Sequence, residues 1–205
     1  MLSFLLWLLL FLPPAHPKHY DLVYRNAAYT SYFSTKRRVP VLVTYTLWRG
    51  GGDCSRAGMY FSGDPNTATQ ADYAATGFDI GHLANAEDFA YDCATERLTF
   101  RYYNALPQTP NLNRGVWKID ETKIRALSQS DSLLVLCGGI FPKPTRYIGK
   151  QRVFVPTYCY KVVQSLSTKQ VLISRIYTNT DRAMVNSISV ADLEKILGYK
   201  LPLRP

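Results

Sequence analysis

Polar and apolar positions alternate in the segment YDLVYRNAAYTSYFSTKRRVPVLVTYTLWR, residues 20–49, which is also rich in Tyr, Val and Thr. This pattern and these residue types are typical of strands with one buried face, and residues 41–48 give the clearest one. Three later segments, SLLVLCGGIF, RVFVPTYCYKVVQ and QVLISRIYTN, predict further strands. Both halves of the chain are therefore expected to contribute strands.

Two segments have helical spacing instead. The first, LNRGVWKIDETKIRALSQ, offers one apolar side. That side consists of Val116, Ile119, Ile124 and Leu127. The second, SVADLEKILGY, predicts a closing helix with Ser189 as its N-cap and Gly198 as its stop. Strands and helices follow one another without regular βαβ alternation, so we predict an α+β fold with a central, mostly antiparallel sheet flanked by helices.

The first 17 residues, MLSFLLWLLLFLPPAHP, form an apolar run closed by prolines. The run is shorter than the ~20 residues of a membrane-spanning helix, so it predicts a signal peptide and a secreted or periplasmic protein. A membrane anchor is the alternative, because no Lys or Arg precedes the run and no small-x-small cleavage site follows it. A mitochondrial transit peptide fits poorly, since such segments are Arg-rich. Residues 18–205 are predicted to form one domain.

Composition changes this picture through charge. The chain has 24 Lys and Arg against 15 Asp and Glu, a formal net charge of +9. A basic surface attracts polyanions, and nucleic acid is the first partner to consider. Scattered surface lysines are the alternative explanation.

The four cysteines lie at positions 54, 93, 137 and 159. No C-x-x-C pair is present, which disfavours a zinc knuckle or a thioredoxin-like site. Export would permit disulfides, and we expect at least one. Cys54 and Cys93 flank the motif described next, and Cys137 and Cys159 lie on strands that are candidate neighbours; buried free thiols are the alternative.

Candidate chemistry centres on the stretch GFDIGHLAN, residues 77–85, in which Asp79 and His82 flank a glycine. One interpretation is a buried strand end with satisfied polar groups, and the other is a held catalytic base. Downstream, Asn113, Trp117 and Glu121 follow at i, i+4 and i+8, near one face of a helix. An amide and a carboxylate so placed suit Mg²⁺, which binds few protein ligands. Helix capping by Asn113 and a solvated Glu121 are the alternative.

At these residues the chain resembles the DNA/RNA non-specific endonucleases, including the endonuclease G type, which have a ββα-metal (His-Me finger) site. The family motif D-R-G-H corresponds to residues 79–82, DIGH, with Ile80 in place of the arginine. Glu87 stands where the family usually has a small residue. The downstream family residues match Asn104, Pro107, Gln108, Asn113, Trp117 and Glu121 in order and spacing. The resemblance covers roughly residues 38–200.

The resemblance implies that His82 is the general base and that Asn113 holds Mg²⁺, with Mn²⁺ as an accepted substitute. Glu121 would orient water near the ion, and Asn104 would support the geometry of the site. Arg56 would bind phosphate oxygens and stabilise charge in the transition state, with Arg49 as the alternative.

Supporting roles follow from the same resemblance. Asp79 would hydrogen-bond water at the ion or brace the turn, and Gly81 would let the backbone turn. Trp117 would support the helix, and Arg114 and Lys118 are expected to contact nucleic acid. The wider set of basic candidates is Lys36, Arg37, Arg38, Arg114, Lys118, Lys123 and Arg125.

The predicted function is a Mg²⁺-dependent endonuclease that hydrolyses phosphodiester bonds of single- and double-stranded DNA and RNA, without an organic cofactor. Low sequence specificity is expected because no base-reading motif is present. A catalytically weak or inactive nucleic-acid-binding protein on the same scaffold is the alternative, and a secreted structural or inhibitor-binding protein is a third. The oligomeric state stays open, with a homodimer as one option.

Overall fold

The computed structural model describes residues 18–205. The predicted signal peptide or anchor lies outside the described residues. Among the described residues, no helix has both the length and the apolar character needed to cross a membrane.

The described residues form eleven strands. They are β1 Leu22–Arg25, β2 Thr30–Ser34, β3 Val39–Leu47, β4 Asp79–His82, β5 Ala105–Gln108, β6 Leu133–Ile140, β7 Arg146–Ile148, β8 Val153–Val155, β9 Tyr158–Ser165, β10 Val171–Thr178 and β11 Val185–Ser187. Seven of them form the central sheet, in the order β1-β2-β3-β6-β9-β10-β11. Every neighbouring pair in this sheet is antiparallel, which confirms the predicted α+β class. Two further hairpins, β4–β5 and β7–β8, lie outside this sheet.

The helices are few and short. They are α1 Gln70–Tyr73, α2 Cys93–Arg97, α3 Lys118–Leu127 and α4 Val190–Leu197. The ends of α4 are as predicted, because the Ser189 hydroxyl accepts from the Asp192 N–H at 3.0 Å and Gly198 adopts a left-handed φ of 72°.

The central sheet buries both of its faces. In β6 all eight residues are buried, so alternate side chains enter two different cores. Val135 and Cys137 face the core that lies under β4, β5 and α3. Leu134 and Leu136 face the second core, which α4 covers through Leu193. The first core supports the candidate site.

Two sequence predictions need correction here. The segment RVFVPTYCYKVVQ forms two strands rather than one, β8 and β9, which are separated by Pro156; proline lacks the N–H that a continuous ladder needs. The predicted apolar side of the long helix is only partly buried. Ile124 is buried and Val116 packs on the core, but Ile119 and Leu127 are exposed.

Two features separate this helix from the prediction. Leu112–Trp117 forms wide turns, with a non-helical ψ of −112° at Gly115, and regular α-helix begins only at Lys118. Within α3, Ile119 and Ile124 lie about 140° apart around the helix axis, so they cannot share one buried face. The face that carries Ile124 also carries Asp120 and Glu121, and these three residues are buried.

One disulfide is present, between Cys54 and Cys93, whose Cα atoms are 5.4 Å apart. The expectation of at least one disulfide is therefore confirmed. Cys137 and Cys159 are free and buried. Although β6 and β9 are neighbours, Cys137 lies opposite Lys161 and Cys159 lies opposite Gly139, so the two cysteines are not a cross-strand pair. Burial raises the pKa of each of these thiols to about 12.

Candidate active site

A cleft of about 420 Å³ opens beside the β4–β5 hairpin and the start of α3. Strand, strand and helix together form the ββα arrangement that the sequence resemblance implies. The residues that line the cleft are Arg56, His82, Asn85, Ala86, Glu87, Asn113, Arg114, Lys118, Glu121 and Arg125. Eight of the residues singled out from the sequence are thus brought together, although they lie up to 69 positions apart in the chain (Arg56 to Arg125).

His82 ends β4, lines the cleft and is half-buried as a residue. The ring packs against Phe61 and Phe100 at centroid distances of 4.7 and 4.8 Å. Its Nε2 is shielded from solvent and has no hydrogen-bond partner among the described residues. Burial, and then the positive charge of Arg56, lower the pKa of His82 to about 3. The imidazole is therefore neutral at neutral pH, the form that can accept a proton.

Gly81 precedes His82 on β4 and faces the partner strand. It pairs with Leu106, and a Cβ atom at this position would overlap the Gln108 amide. Its φ is not among the left-handed values of the chain. Gly81 therefore supplies no left-handed turn here, and a side chain at this position would have to displace the Gln108 amide.

Asn113 lies on the irregular turn before α3, opposite Asp79 at the start of β4. Its Nδ2 donates to Asp79 Oδ2 at 2.9 Å. A carboxylate only accepts hydrogen bonds, so this contact fixes the amide orientation and leaves Oδ1 as the acceptor atom of Asn113. Asp79 also binds the Arg114 guanidinium through two contacts, of 2.8 and 2.6 Å. These hydrogen bonds keep the pKa of Asp79 low although burial opposes them. Asp79 thus braces the site.

Glu121 enters the cleft from the buried side of α3. Its carboxylate lies 3.8 Å from the Nζ of Lys161, a fully buried residue of β9. The same ammonium lies 3.9 Å from the centre of the Trp117 ring. Burial raises the pKa of Glu121 to about 7, against the lowering effect of Lys161. Trp117 is itself buried against Tyr177, so it supports this group from the core and does not line the cleft.

Arg56 reaches the cleft from the long connection between β3 and α1. Its Nε donates to Glu96 at 3.0 Å and its Nη2 donates to Glu87 at 2.6 Å. The disulfide joins Cys54, two residues before Arg56, to Cys93, the first residue of α2. The same short helix carries Glu96. Arg49, the alternative, stacks on Trp48 and does not line the cleft. The geometry favours Arg56.

Asn104 lies behind the cleft and not in it. It is fully buried and does not line the cleft. Its Oδ1 accepts from the Ala84 N–H at 2.8 Å, and its Nδ2 donates to the carbonyls of Ala84 and Thr99, both at 2.9 Å. Its full set of side-chain hydrogen bonds is with backbone. Asn104 is therefore a positioning residue, which ties the segment after His82 to the segment before β5.

The basic candidates divide by location. Arg114, Lys118 and Arg125 line the cleft, and Arg125 also donates to the buried Asp88 at 2.6 Å. Lys123 lies 3.7 Å from Asp120. Arg37 stacks over Phe141 at 5.0 Å, and Arg38 donates to the carbonyls of Pro65 and Thr67. Neither Arg37 nor Arg38 lines the cleft.

Sequence reasoning missed Lys161, Glu96 and Asn85 as parts of the site. Lys161 gave a signal, because it is a charged residue within the apolar strand YCYKVV. Asn85 accepts from the Glu87 N–H at 2.7 Å and so begins the turn that carries Glu87. No sequence signal marked Glu96 as part of the site, since an acidic residue on a short helix is ordinarily solvated.

Comparison with known proteins agrees with this geometry. A family model described as DNA/RNA non-specific endonuclease matches residues 17–202. The chain belongs to the DNA/RNA non-specific endonuclease family. The recognised resemblance is thereby confirmed across nearly the whole length of the chain.

Individual relatives are similar over part of their own length. Mitochondrial endonuclease G of Bos taurus is 31% identical over 67% of this chain and 52% of the relative. A Nostoc sp. nuclease is 31% identical over 64% of this chain and 53% of its own. Human mitochondrial nuclease EXOG is 27% identical over 81% of this chain and 53% of its own. The chain thus spans about half the length of these relatives.

A solved structure shares the fold. A chain of the EndoG/EndoGI complex superposes with a TM-score of 0.76 at 22% identity, covering 88% of this chain and 85% of that one. The family assignment and this shared fold agree with the α+β sheet and the ββα unit described above.

The donor atoms of the cleft fit a hard divalent cation. The Asn113 Oδ1 is left as an acceptor by the Asp79 contact, and the Glu121 carboxylate adds charge nearby. Within residues 18–205 no cluster of three or more His, Cys, Asp or Glu is suited to hold a metal. An ion here would take few protein ligands and keep several waters, which is how Mg²⁺ commonly binds.

Proposed function

We propose that this protein is a divalent-metal-dependent endonuclease that hydrolyses phosphodiester bonds of DNA and RNA with little sequence specificity. One observation carries the proposal: the cleft combines a neutral His82 with an Asn113 whose amide orientation is fixed by Asp79. Family membership and the +9 charge support it. Mg²⁺ is the proposed ion, with Mn²⁺ as a substitute, and no organic cofactor is required.

His82 acts as the general base in this proposal. It removes a proton from the attacking water, and its place in the lining of the cleft supports this role. Its pKa, near 3 in the free protein, is low for this task. Because Arg56 contributes to the lowering, a phosphate bound at Arg56 offsets that charge and raises the His82 pKa toward a more basic value.

Arg56 and Asn113 are proposed to stabilise the phosphate group that is cleaved. The Arg56 guanidinium donates to non-bridging oxygens and stabilises the charge that grows on them in the transition state. Asn113 would hold the ion through Oδ1. When bound, a divalent ion supplies Lewis-acid stabilisation of the phosphate and the leaving oxygen. Glu121 orients water by hydrogen bonding, Asp79 holds the side chains of Asn113 and Arg114, and Asn104 holds the backbone after His82.

The substrates are proposed from contacts with phosphate, which do not depend on base identity. Arg114, Lys118 and Arg125 at the cleft are suited to phosphates, which carry no sequence information. Single and double strands of both nucleic acids are therefore included. A catalytically weak binding protein on the same scaffold is the second candidate, favoured by Ile80 at the arginine position of the motif.

Location and domain organisation are part of the proposal. We assign residues 1–17 to a signal peptide, with an anchor as the alternative, and residues 18–205 to one endonuclease domain. The Cys54–Cys93 disulfide supports a secreted or periplasmic protein, because oxidising compartments are where such bonds persist.

A plasmid-nicking assay tests the proposal directly. Supercoiled DNA and a transcribed RNA are incubated with the purified protein and Mg²⁺, then with EDTA. We expect both substrates to be cut with Mg²⁺ and neither with EDTA. Binding to both substrates without cleavage, across Mg²⁺ and Mn²⁺ concentrations, would favour the non-catalytic candidate.

A further inference from the structure

The Arg56 guanidinium is shared between two carboxylates that differ sharply in burial. Glu96 is fully buried, whereas the side chains of Glu87 and Arg56 are 42% and 47% exposed. Glu96 binds Nε, on the stem side of the guanidinium, and Glu87 binds Nη2 at its tip. The Glu96 contact therefore anchors the arginine, and the Glu87 contact caps the end that lies in the cleft.

Glu87 can leave this contact without moving its backbone. Its N–H is held by the Asn85 side chain at 2.7 Å, at the start of the turn Ala86–Phe89. Its side chain has no other hydrogen bond or ion pair among the described residues beyond Arg56. A side-chain rotation alone thus exchanges the carboxylate for another anion, and such rotations are fast at exposed positions.

From this geometry we infer that Glu87 is an internal competitor of the substrate phosphate and lowers the affinity of the cleft for nucleic acid. It occupies an N–H at the guanidinium tip of Arg56, so a phosphate oxygen can take that donor only by displacing the carboxylate. It also places a negative charge beside the incoming phosphate. The inference rests on the proposed function, because it takes Arg56 as a phosphate ligand.

The size of the effect follows from exposure. Half-exposed ion pairs are weak, so displacing Glu87 changes affinity by no more than about 5-fold. Removing its charge also lets the cleft neutralise about one more phosphate. The salt dependence of binding should then steepen by about 0.7 to 0.9 in the log–log slope. A supporting role for Glu87 gives the opposite sign, since Arg56 would lose a partner that holds it in place.

The test compares Glu87→Gln with Asp53→Asn. Asp53 is exposed, lies in the same connection as Arg56 and does not line the cleft, so its substitution makes the same change in net charge. Binding of a fluorescein-labelled 20-base-pair duplex is measured by anisotropy over a KCl series in a His82→Ala background, and kcat and KM are measured in the active protein. We expect Glu87→Gln to lower Kd and KM by about 2- to 5-fold and to steepen the salt slope beyond Asp53→Asn.

A double-mutant cycle identifies the route of the effect. In an Arg56→Ala background, Glu87→Gln should change Kd less than it does in the protein that keeps Arg56, because only the repulsion between Glu87 and the phosphate is then removed. A higher Kd or KM for Glu87→Gln, or an equal effect with and without Arg56, would overturn the inference. The binding series also separates the two proposals. A wild-type protein that binds but does not cut refutes the proposed function, while the competition of Glu87 with phosphate is still decided by Kd.

Discussion

At the scale of single residues, the cleft holds its reactive groups through neighbours that do not touch substrate. Asp79 fixes the Asn113 amide, Asn104 ties down the backbone after His82, and Lys161 lies against Glu121. Each of these contacts sets an orientation or a charge state. Substitutions at the reactive groups should therefore change chemistry, whereas substitutions at their neighbours should change geometry.

Replacement of His82, the proposed general base, should remove catalysis and leave the fold intact. We expect His82→Ala to lower kcat by at least ~100-fold, the usual share of general-base catalysis. His19→Ala is a matched control, because His19 does not line the cleft. Single-turnover rates and melting curves of both variants measure the effect. A folded His82→Ala protein with nearly full activity would refute the role of His82.

The protonation of His82 gives a second prediction. A histidine whose pKa is lowered from 6.5 to about 3 binds no proton between pH 5 and 8 in the folded protein. Its ring resonances should stay constant over this range in an NMR titration of the free protein. Arg56→Ala removes one cause of the lowering, so the His82 pKa should rise in that variant. A wild-type midpoint near 6.5 would contradict the prediction.

The Mg²⁺ concentration that the proposed reaction requires should depend on Asn113. With Asn113→Ala, we expect more Mg²⁺ to be needed for half-maximal rate, because the Oδ1 acceptor fixed by Asp79 is lost. Asn111→Ala, an exposed amide two residues earlier on the same segment, is the control. Rates measured over a Mg²⁺ series decide the matter. An unchanged Mg²⁺ requirement would show that Asn113 has only a structural role.

At the scale of elements, the Arg56 segment has little regular structure of its own. It carries no strand between β3 and α1 and is joined to α2 by the disulfide, which closes a separation of 39 residues. Chain-entropy arguments assign such a crosslink about 4 kcal/mol. The bond therefore contributes both to stability and to the position of Arg56.

Removal of that bond should be measurable in two ways. We expect Cys54→Ser with Cys93→Ser to lower the free energy of unfolding by about 2 to 4 kcal/mol and to lower kcat through a less constrained Arg56. Denaturant unfolding with and without dithiothreitol provides the comparison. Wild type should lose stability on reduction and the double variant should not respond. Equal responses of the two proteins would argue against the Cys54–Cys93 pairing.

Elements with a strong local pattern could be predicted from the sequence, and those shaped by tertiary contacts could not. The strand pattern of residues 20–49 and the caps of α4 are local, and both agree with the structure. The wide turns of Leu112–Trp117 break the regular spacing on which the prediction relied, and α3 turns Asp120 and Glu121 inward while Ile119 stays exposed. The motif at residues 79–82 marks the place of the cleft in the sequence. The contacts of Arg56 with Glu87 and Glu96 join segments that no local pattern links.

At the scale of the whole molecule, the net charge is +9. This charge should attract nucleic acid before any specific contact forms. We expect Kd for duplex DNA to rise steeply with KCl and to differ little among unrelated sequences, because phosphate contacts dominate. Anisotropy titrations of several duplexes at two or more salt concentrations test this. A preference for one sequence that persists at every salt concentration would contradict it.

The two buried thiols of the central sheet have a consequence for handling the protein. With Cys54 and Cys93 joined, Cys137 and Cys159 are the remaining sulfhydryls, and both are inaccessible in the core. An alkylating reagent can reach them only when the sheet opens. Mass spectrometry of protein incubated with iodoacetamide under native conditions would then count opening events directly. The two native thiols thus report how often the sheet that supports the cleft opens, without any engineered label.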